Sequence, residues 1–487
     1  MTAIALKASS LSRLLGHWRG AEDLDPHYRQ LARALQLLIL DGRLGLGVRL
    51  PGERELAKAI GVSRTTLTAA YGQLRDEGYL VSRQGSGSVT RLPAGRPAAP
   101  ELGGDNGEDG FIDWTAAALP ASPVVRRAYE EGMKRLPAWL GGTGYEVLGI
   151  AELREAIASD YARRGCATRP EQIMVTSGAQ SGLTLVLRAL TGPGDRIAVD
   201  QPTYHNALGA IARSSCQAIP VSLPETGWDL DAVEAVFRQA APRLAYLVPD
   251  FHVPTGRLMD EESRRRLVQI AERTRTPLLI DETMAETGFG FSMPAPVAAF
   301  DPDDAMVMSV GSVSKRYWGG LRVGWIRANE QRIAELARLR ATIDMATPIL
   351  EQLAVAAMLR DHGAGTDQRG ILRDRCEMLI ALLAEALPHW RVSRPDGGLA
   401  LWAELPRPEA SALAAVAHIL GLRIAPGPRF ATEGAFERFV RLPFTLSEPD
   451  LRRAVERLAL ADAQLNRRGG RAGKGGAAFG IEAERII

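Results

Sequence analysis

Gly311-Ser312-Val313-Ser314-Lys315 is followed, seven residues beyond the lysine, by Arg322 in Gly320-Leu321-Arg322-Val323-Gly324. The grouping places an amine, a hydroxyl three residues before it and a guanidinium shortly after it. An amine of this kind condenses with an aldehyde to a Schiff base. A hydroxyl and a guanidinium hold phosphate, the latter through two parallel hydrogen bonds. The three groups together suit a phosphorylated aldehyde, with Lys315 as the reacting residue and Ser312 and Arg322 on its phosphate.

Three other segments carry groups that suit the same ligand. Ser177-Gly178-Ala179-Gln180 follows a β-rich run and opens an apolar helix, so Gly178, Ala179 and Gln180 present the unpaired N–H groups of a helix start, a cradle for phosphate. Tyr204, in Asp200-Gln201-Pro202-Thr203-Tyr204, stands just past a strand end and can stack on an aromatic ring. Asp281 closes the apolar run from Pro277, where a carboxylate can pair with a protonated ring nitrogen.

Outward from these segments, residues 111–465 alternate short β-rich runs with helical stretches. The runs are Gln172–Thr176, Arg196–Asp200, Ala218–Ser222, Leu244–Pro249, Pro277–Asp281, Ala305–Val310 and Leu321–Arg327. Continuous apolar runs separated by helices predict an α/β fold with a mostly parallel sheet covered on both faces. From about residue 370 the strands become shorter (Leu399–Glu404, Leu422–Ala425, Phe439–Phe444), which predicts a small C-terminal α+β subdomain. Residues 466–487 include NRRGGRAGKG and read as a disordered tail.

The first hundred residues are different in kind. Residues 26–100 carry 11 Lys/Arg against 5 Asp/Glu, although the whole 487-residue chain is only +2. A local basic excess suits contact with phosphate. Residues 1–25 read as an N-terminal extension, 26–92 as a compact unit, and 93–110, rich in Pro, Gly and Ala, as a flexible linker. In the compact unit Leu56, Ala59 and Ile60 form one helical face, Gly61-Val62 breaks the helix, and Ser63 is placed to cap a second helix with Leu67, Ala70, Tyr71 and Leu74 on its apolar side. Two short helices joined by a glycine turn make a helix-turn-helix. Arg64, Thr65 and Thr66 stand at the start of its second helix, the end that touches base edges in such motifs. Tyr79–Arg83 and Ser88–Arg91 alternate around Gln84-Gly85-Ser86-Gly87, a hairpin with a glycine-rich tip.

The chain is 46% apolar and 24% charged, the composition of a globular protein with sizeable cores, and its length suits two or three domains. No apolar run reaches the roughly 18 residues of a membrane span. Met1–Ser10 lacks the layout of a secretory leader, so the cytoplasm is the expected compartment. The three cysteines, Cys166, Cys216 and Cys376, are too few and too scattered for a disulfide framework or a cysteine metal site, and no metal is expected.

The string from Leu50-Pro51-Gly52-Glu53-Arg54-Glu55-Leu56-Ala57 through Gly61-Val62-Ser63-Arg64-Thr65-Thr66 to Gly85-Ser86-Gly87-Ser88 resembles the winged helix-turn-helix of the GntR family. The resemblance implies DNA contacts from Arg54, Ser63, Arg64, Thr65, Thr66 and the wing residues Gln84 and Gly85. Thr68 stands where some relatives carry a further DNA-contacting arginine. Residues 111–460 resemble a class I aminotransferase of fold type I, in the order Gly144-Tyr145, SGAQ at 177–180, DQPTY at 200–204, Pro254-Thr255-Gly256, Asp281, SVSK at 312–315, Arg322 and Arg441. That resemblance implies pyridoxal 5'-phosphate (PLP) on Lys315 and an amino compound whose carboxylate is gripped by Arg441. Val253 stands where such enzymes place an asparagine that bonds the ring hydroxyl, and Thr283 replaces a usual tyrosine. Both changes weigh against efficient transamination.

A GntR module joined by a linker to an aminotransferase-like domain is similar to the MocR-type transcriptional regulators. The resemblance implies a homodimer on double-stranded promoter DNA, with PLP or a small amino compound as the effector. Two other readings stay open at this point: a working aminotransferase with an appended DNA-binding domain, and a repressor that no longer uses the cofactor.

Overall fold

The computed structural model describes residues 6–16, 18, 26–40, 44, 48–83, 87–91, 110–225, 227–290, 293–361, 366–432 and 434–470. The chain divides into two compact units. One comprises Met1–Asp113, Glu409–Arg423 and Arg453–Ile487, and the other Trp114–Pro408 and Ile424–Arg452.

The first unit begins with α1 (Ala8–Leu15), α2 (His27–Leu40), α3 (Glu53–Ile60) and α4 (Arg64–Asp76), followed by the hairpin β1 (Leu80–Arg83) and β2 (Gly87–Thr90). Leu11, Leu31, Leu35, Leu56, Leu67, Tyr71 and Leu74 fill a common core. The segment read as an N-terminal extension therefore contains a helix of the domain itself: Leu11 of α1 is fully buried among the other helices. The eight-residue amphipathic pattern of α1 is too short to stand out before its packing partners are known. Gly61 ends α3 in the left-handed conformation at φ 67°, a geometry that favours glycine. Ser63 then starts α4, its Oγ accepting from Thr66 N at 3.0 Å. The linker residues 93–109, Gln84 and Gly85 lie outside the described residues.

The short strand β3 (Ile112–Asp113) pairs in parallel with β13 (Leu422–Arg423), and Asp113 meets Arg423 at 3.1 Å. The second unit then runs through α5 (Pro123–Arg135), α6 (Ala151–Arg163), β4 (Ile173–Thr176), α7 (Ala179–Leu190), β5 (Arg196–Gln201), α8 (His205–Arg213), β6 (Gln217–Ser222), α9 (Leu230–Ala240), β7 (Leu244–Leu247), α10 (Glu261–Thr274), β8 (Leu278–Asp281), β9 (Val307–Ser312), β10 (Gly324–Arg327), α11 (Glu330–Arg340) and α12 (Ile349–Arg360). All seven β-rich runs of the sequence lie in a seven-stranded sheet of order β4-β10-β9-β8-β7-β5-β6. Within it β10 runs against both neighbours, β4 and β9. Successive residues along each strand feed opposite cores. Ala245, Leu247, Leu278 and Ile280 face the layer that holds α5, α6, α10 and α12, whereas Leu244, Tyr246 and Leu279 face α7, α8 and α11. Burial on both faces is why these runs are continuously apolar rather than alternating.

Helix α13 (Thr366–Ala386) leads to a smaller antiparallel sheet of β11 (Arg391–Val392), β12 (Ala400–Glu404), β14 (Ala425–Pro426) and β15 (Phe439–Pro443), in the order β11-β12-β15-β14. After α14 (Ala410–Ile419), the last helix among the described residues, α15, spans Glu448–Gly470 and so enters the segment read as a disordered tail from residue 466; residues 471–487 lie outside the described ones. No helix among the described residues is long and apolar enough to cross a membrane. Cys166, Cys216 and Cys376 are buried and unlinked.

Candidate cofactor and DNA sites

The loops that follow β4, β5, β7, β8 and β9 meet at the C-terminal edge of the sheet, the edge where open α/β folds bind ligands. They enclose a cavity lined by Gly178, Ala179, Gln180, Tyr204, Asp281, Ser312, Lys315, Arg322 and Arg441. The structure thus brings together every residue proposed for the cofactor and the effector carboxylate, from segments up to 263 positions apart.

Lys315 projects from the turn after β9, and its Nζ donates to Ala117 O at 2.6 Å. Burial, with Arg441 and Arg322 nearby, pushes its ammonium down to about 8, against the opposing pull of Asp281. An amine near neutrality is partly unprotonated at physiological pH, and only the neutral amine attacks an aldehyde. Capture of PLP by the cofactor-free protein is expected to accelerate about tenfold per pH unit up to about 8 and then level off. Stopped-flow absorbance measures this directly; a rate still climbing steeply from pH 8 to 10 would contradict it.

Gly178 is the N-cap of α7 at φ 96°, and Arg322 Nη2 donates to Ser177 O at 2.9 Å. A Cβ on Gly178 would stand 2.7 Å from Arg322 Nη2, so only glycine lets the guanidinium lie across the helix start. Arg322 itself sits in the left-handed region at φ 50°. Ser312 Oγ lies 2.9 Å from Ser314 Oγ and accepts from Ser314 N at 3.1 Å. The first N–H groups of α7, the hydroxyl pair and the guanidinium form a cradle suited to a phosphate.

Asp281 is buried. Tyr246 donates to its Oδ2 at 2.6 Å and Thr283 N to its Oδ1 at 2.9 Å. Burial raises its pKa despite these two bonds. Tyr204 lines the cavity with its hydroxyl accepting from Asn206 Nδ2 at 2.8 Å. Arg441, on β15, is buried, lies 5.1 Å over the Phe430 ring and donates to Thr115 O. The cavity also contains residues that sequence reasoning missed, among them Ala117, Phe251, Ser314 and Met284. Tyr246 carried a signal, a polar group inside an otherwise apolar strand. Ala117 carried none, since its backbone carbonyl contributes and any residue supplies one. Val253 and Thr283 both line the wall, and His252 Nδ1 is engaged with Thr255 Oγ1 at 2.9 Å.

In the first unit Arg54 and Arg64 are exposed at the starts of α3 and α4, with no hydrogen bond or ion pair to any described residue. Thr65 is exposed beside Arg64. Ser63 Oγ is committed to the helix start: besides capping it lies 2.7 Å from both Thr65 Oγ1 and Thr66 Oγ1. Thr68 donates to Glu53 Oε2 at 2.7 Å and so ties α4 to α3.

Residues 27–89 match the bacterial regulatory proteins of the gntR family, and residues 140–458 match aminotransferase class I and II. The HTH-type transcriptional regulator YdcR of Escherichia coli is 30% identical over 85% of this chain and 94% of its own. A probable rhizopine catabolism regulatory protein, MocR of Rhizobium meliloti, is 29% identical over 78% of this chain and 82% of its own. The chain belongs to the MocR-type regulators. This MocR-type chain is also similar to 2-aminoadipate transaminase of Thermus thermophilus, 31% identical over 71% of this chain and 85% of its own. The crystal structure of LysN, the α-aminoadipate aminotransferase of that organism, complexed with N-(5'-phosphopyridoxyl)-L-leucine, superimposes with a TM-score of 0.67 at 27% identity, covering 74% of this chain and 93% of that one. The cofactor of this MocR-type fold is PLP, and the half-buried lysine amine, phosphate cradle and buried carboxylate described above fit it chemically.

Proposed function

We propose that the protein is a PLP-dependent, sequence-specific transcriptional regulator, acting in the cytoplasm, whose aminotransferase-like domain senses PLP or an amino compound. One observation carries this reading: a single chain joins a GntR module, with Arg54 and Arg64 unspent at its helix starts, to a cavity that gathers Lys315, Asp281, Ser312, Arg322 and Arg441.

Bound PLP supplies an aldehyde that captures amines and a ring that withdraws electrons. In this reading Lys315 would hold the aldehyde carbon, and Gly178, Ala179, Gln180, Ser312 and Arg322 would hold the phosphate. Asp281, steadied by Tyr246, would pair with the ring nitrogen, Tyr204 would pack on the ring, and Arg441 would take the effector's carboxylate. Val253 offers no hydrogen bond toward the ring hydroxyl, which favours sensing over turnover.

An ion-pair chain supports a route for the signal. Arg316, next to Lys315, lies 3.7 Å from Glu286, and Glu286 also pairs with Arg369 of α13. A ligand that alters the seating of Lys315 can thereby shift α13 and the small sheet, to the extent that it binds the two arrangements differently. The dimer is part of the same reading. Met133, Leu140, Tyr145, Ile343 and Met345 are large apolar side chains left exposed, a composition suited to a second copy. Two copies would present paired helix-turn-helix modules to paired half-sites.

The test is retention of the DNA upstream of the protein's own gene, against unrelated DNA at fixed salt, with and without PLP. Selective binding that changes with PLP is the expected result. No selectivity in either state, together with steady transamination of amino acids, would replace this reading with that of an enzyme. Arg64→Ala is expected to weaken binding to the specific DNA by about 1–3 kcal/mol. An equal loss on unrelated DNA would make Arg64 a phosphate contact rather than a reader of bases.

A further inference from the structure

Residues 48–50 run beside the wing. Leu50 N donates to Ser88 O at 2.9 Å, Thr90 N donates to Val48 O at 3.0 Å, and Arg49 faces Val89 across an antiparallel bridge. The segment acts as a third strand next to β2 and leads directly into α3, where Arg54 stands. The backbone of Arg49 does structural work there, its carbonyl accepting from Leu6 N at 3.0 Å. The side chain does none: it is exposed and makes no hydrogen bond or ion pair with any described residue.

Its position is nonetheless defined. The guanidinium lies against Gly87, where an added Cβ would stand 3.4 Å from Arg49 Nε and 3.9 Å from Nη2. Gly87 has φ +76° and no side chain, so Gly87 itself does not cover the cation. Arg75 of α4 donates through Nη1 to Ser88 Oγ of β2 at 3.4 Å, which brings a second cation beside that strand, and Glu53 accepts from Thr68. An exposed arginine with no side-chain partner among the described residues, lying against Gly87 on the module that carries Arg54 and Arg64, matches the chemistry of a phosphate contact.

We propose that Arg49 binds a DNA backbone phosphate at the root of the wing. The proposal rests on the DNA-binding reading above. The experiment uses the full-length protein, its Arg49→Ala and Arg49→Lys variants, the DNA upstream of its own gene and an unrelated duplex, with salt varied from about 50 to 200 mM. One phosphate contact contributes about 0.9 to the slope of log affinity against log salt, which is about eightfold in affinity at 0.1 M salt. Arg49→Ala is expected to weaken binding about eightfold on both DNAs and to make the slope shallower by about 0.9. Arg49→Lys, which keeps the charge, is expected to keep the slope, and this separates lost contact from lost folding. Unchanged affinity and slope in Arg49→Ala would overturn the proposal, as would a loss confined to the specific DNA. Selective binding by the wild type alongside either result leaves the regulatory reading standing and removes Arg49 alone; failure of the wild type to hold any DNA overturns both.

Discussion

Lys315→Ala is expected to abolish the visible absorbance of the bound cofactor and, with it, any response of DNA binding to PLP. The argument is chemical rather than steric. The amine of Lys315 is the one lining the cavity beside Asp281 and the phosphate cradle, and an alanine methyl cannot condense with an aldehyde. The cradle itself survives the change, because Ser312, Arg322 and the first turn of α7 are held by bonds that do not involve Lys315. PLP is therefore expected to bind the variant weakly and reversibly, washing out on dialysis. The variant is also expected to fold, since deleting a buried amine removes a desolvation cost along with its bond to Ala117 O. An unchanged absorbance band in Lys315→Ala would place the covalent link on another residue. A lost band with a fully retained response to PLP would show that sensing uses the phosphate cradle alone.

The second large effect is expected from Gly324→Ala, far from any reacting atom. Gly324 opens β10 and pairs with Thr176 of β4 and Ser312 of β9. A Cβ there would stand 2.7 Å from Ala179 N, Gly178 C and Gly311 O. All three are backbone atoms, so no side chain can swing aside; β10, β9 and the start of α7 must separate. A cost of about 3 kcal/mol, the upper part of the range for overpacking, is expected in denaturant unfolding of the cofactor-free protein. The same displacement pulls Gly178 away from Ser312, so PLP affinity is expected to fall at least tenfold in an equilibrium titration. Gly209→Ala is the control, since a Cβ at Gly209 meets nothing within 4 Å. In a helix interior it is expected to be neutral or to stabilise by up to about 1 kcal/mol. Equal behaviour of the two variants would show that the packing around Gly324 yields more readily than its backbone contacts imply.

Much of the architecture was legible in the order of the residues. Each apolar β-rich run became a strand of the large sheet, because a strand buried on both faces must be apolar at successive positions and no neighbour is needed to reveal that. Gly61 and Ser63 announced the break and restart between the two helices of the helix-turn-helix through local chemistry alone: a left-handed turn, then a hydroxyl capping an N–H three residues on. The lysine, serine and arginine of the 312–322 segment were readable for the same reason, being close in sequence and chemically complementary to one ligand. Helix α1 was not readable in this way. Eight residues cannot stabilise a helix by themselves, and Leu11 is accounted for only by the core it enters.

By itself the sequence determined the two-part composition of the protein, the strands of the large sheet, the two helices of the helix-turn-helix, and the chemical types available for PLP and for DNA. Tertiary structure decided what those types do in combination. It lowered the Lys315 ammonium by burial and by Arg441, which lies 126 positions away, and it set Tyr246 against Asp281 across neighbouring strands. It committed Ser63 to capping while leaving Arg49, Arg54 and Arg64 without a side-chain partner among the described residues. The division has a physical origin. Periodicity and capping act over a few residues and are written locally, whereas burial, charge proximity and the absence of a partner depend on distances that exist only after the chain has folded.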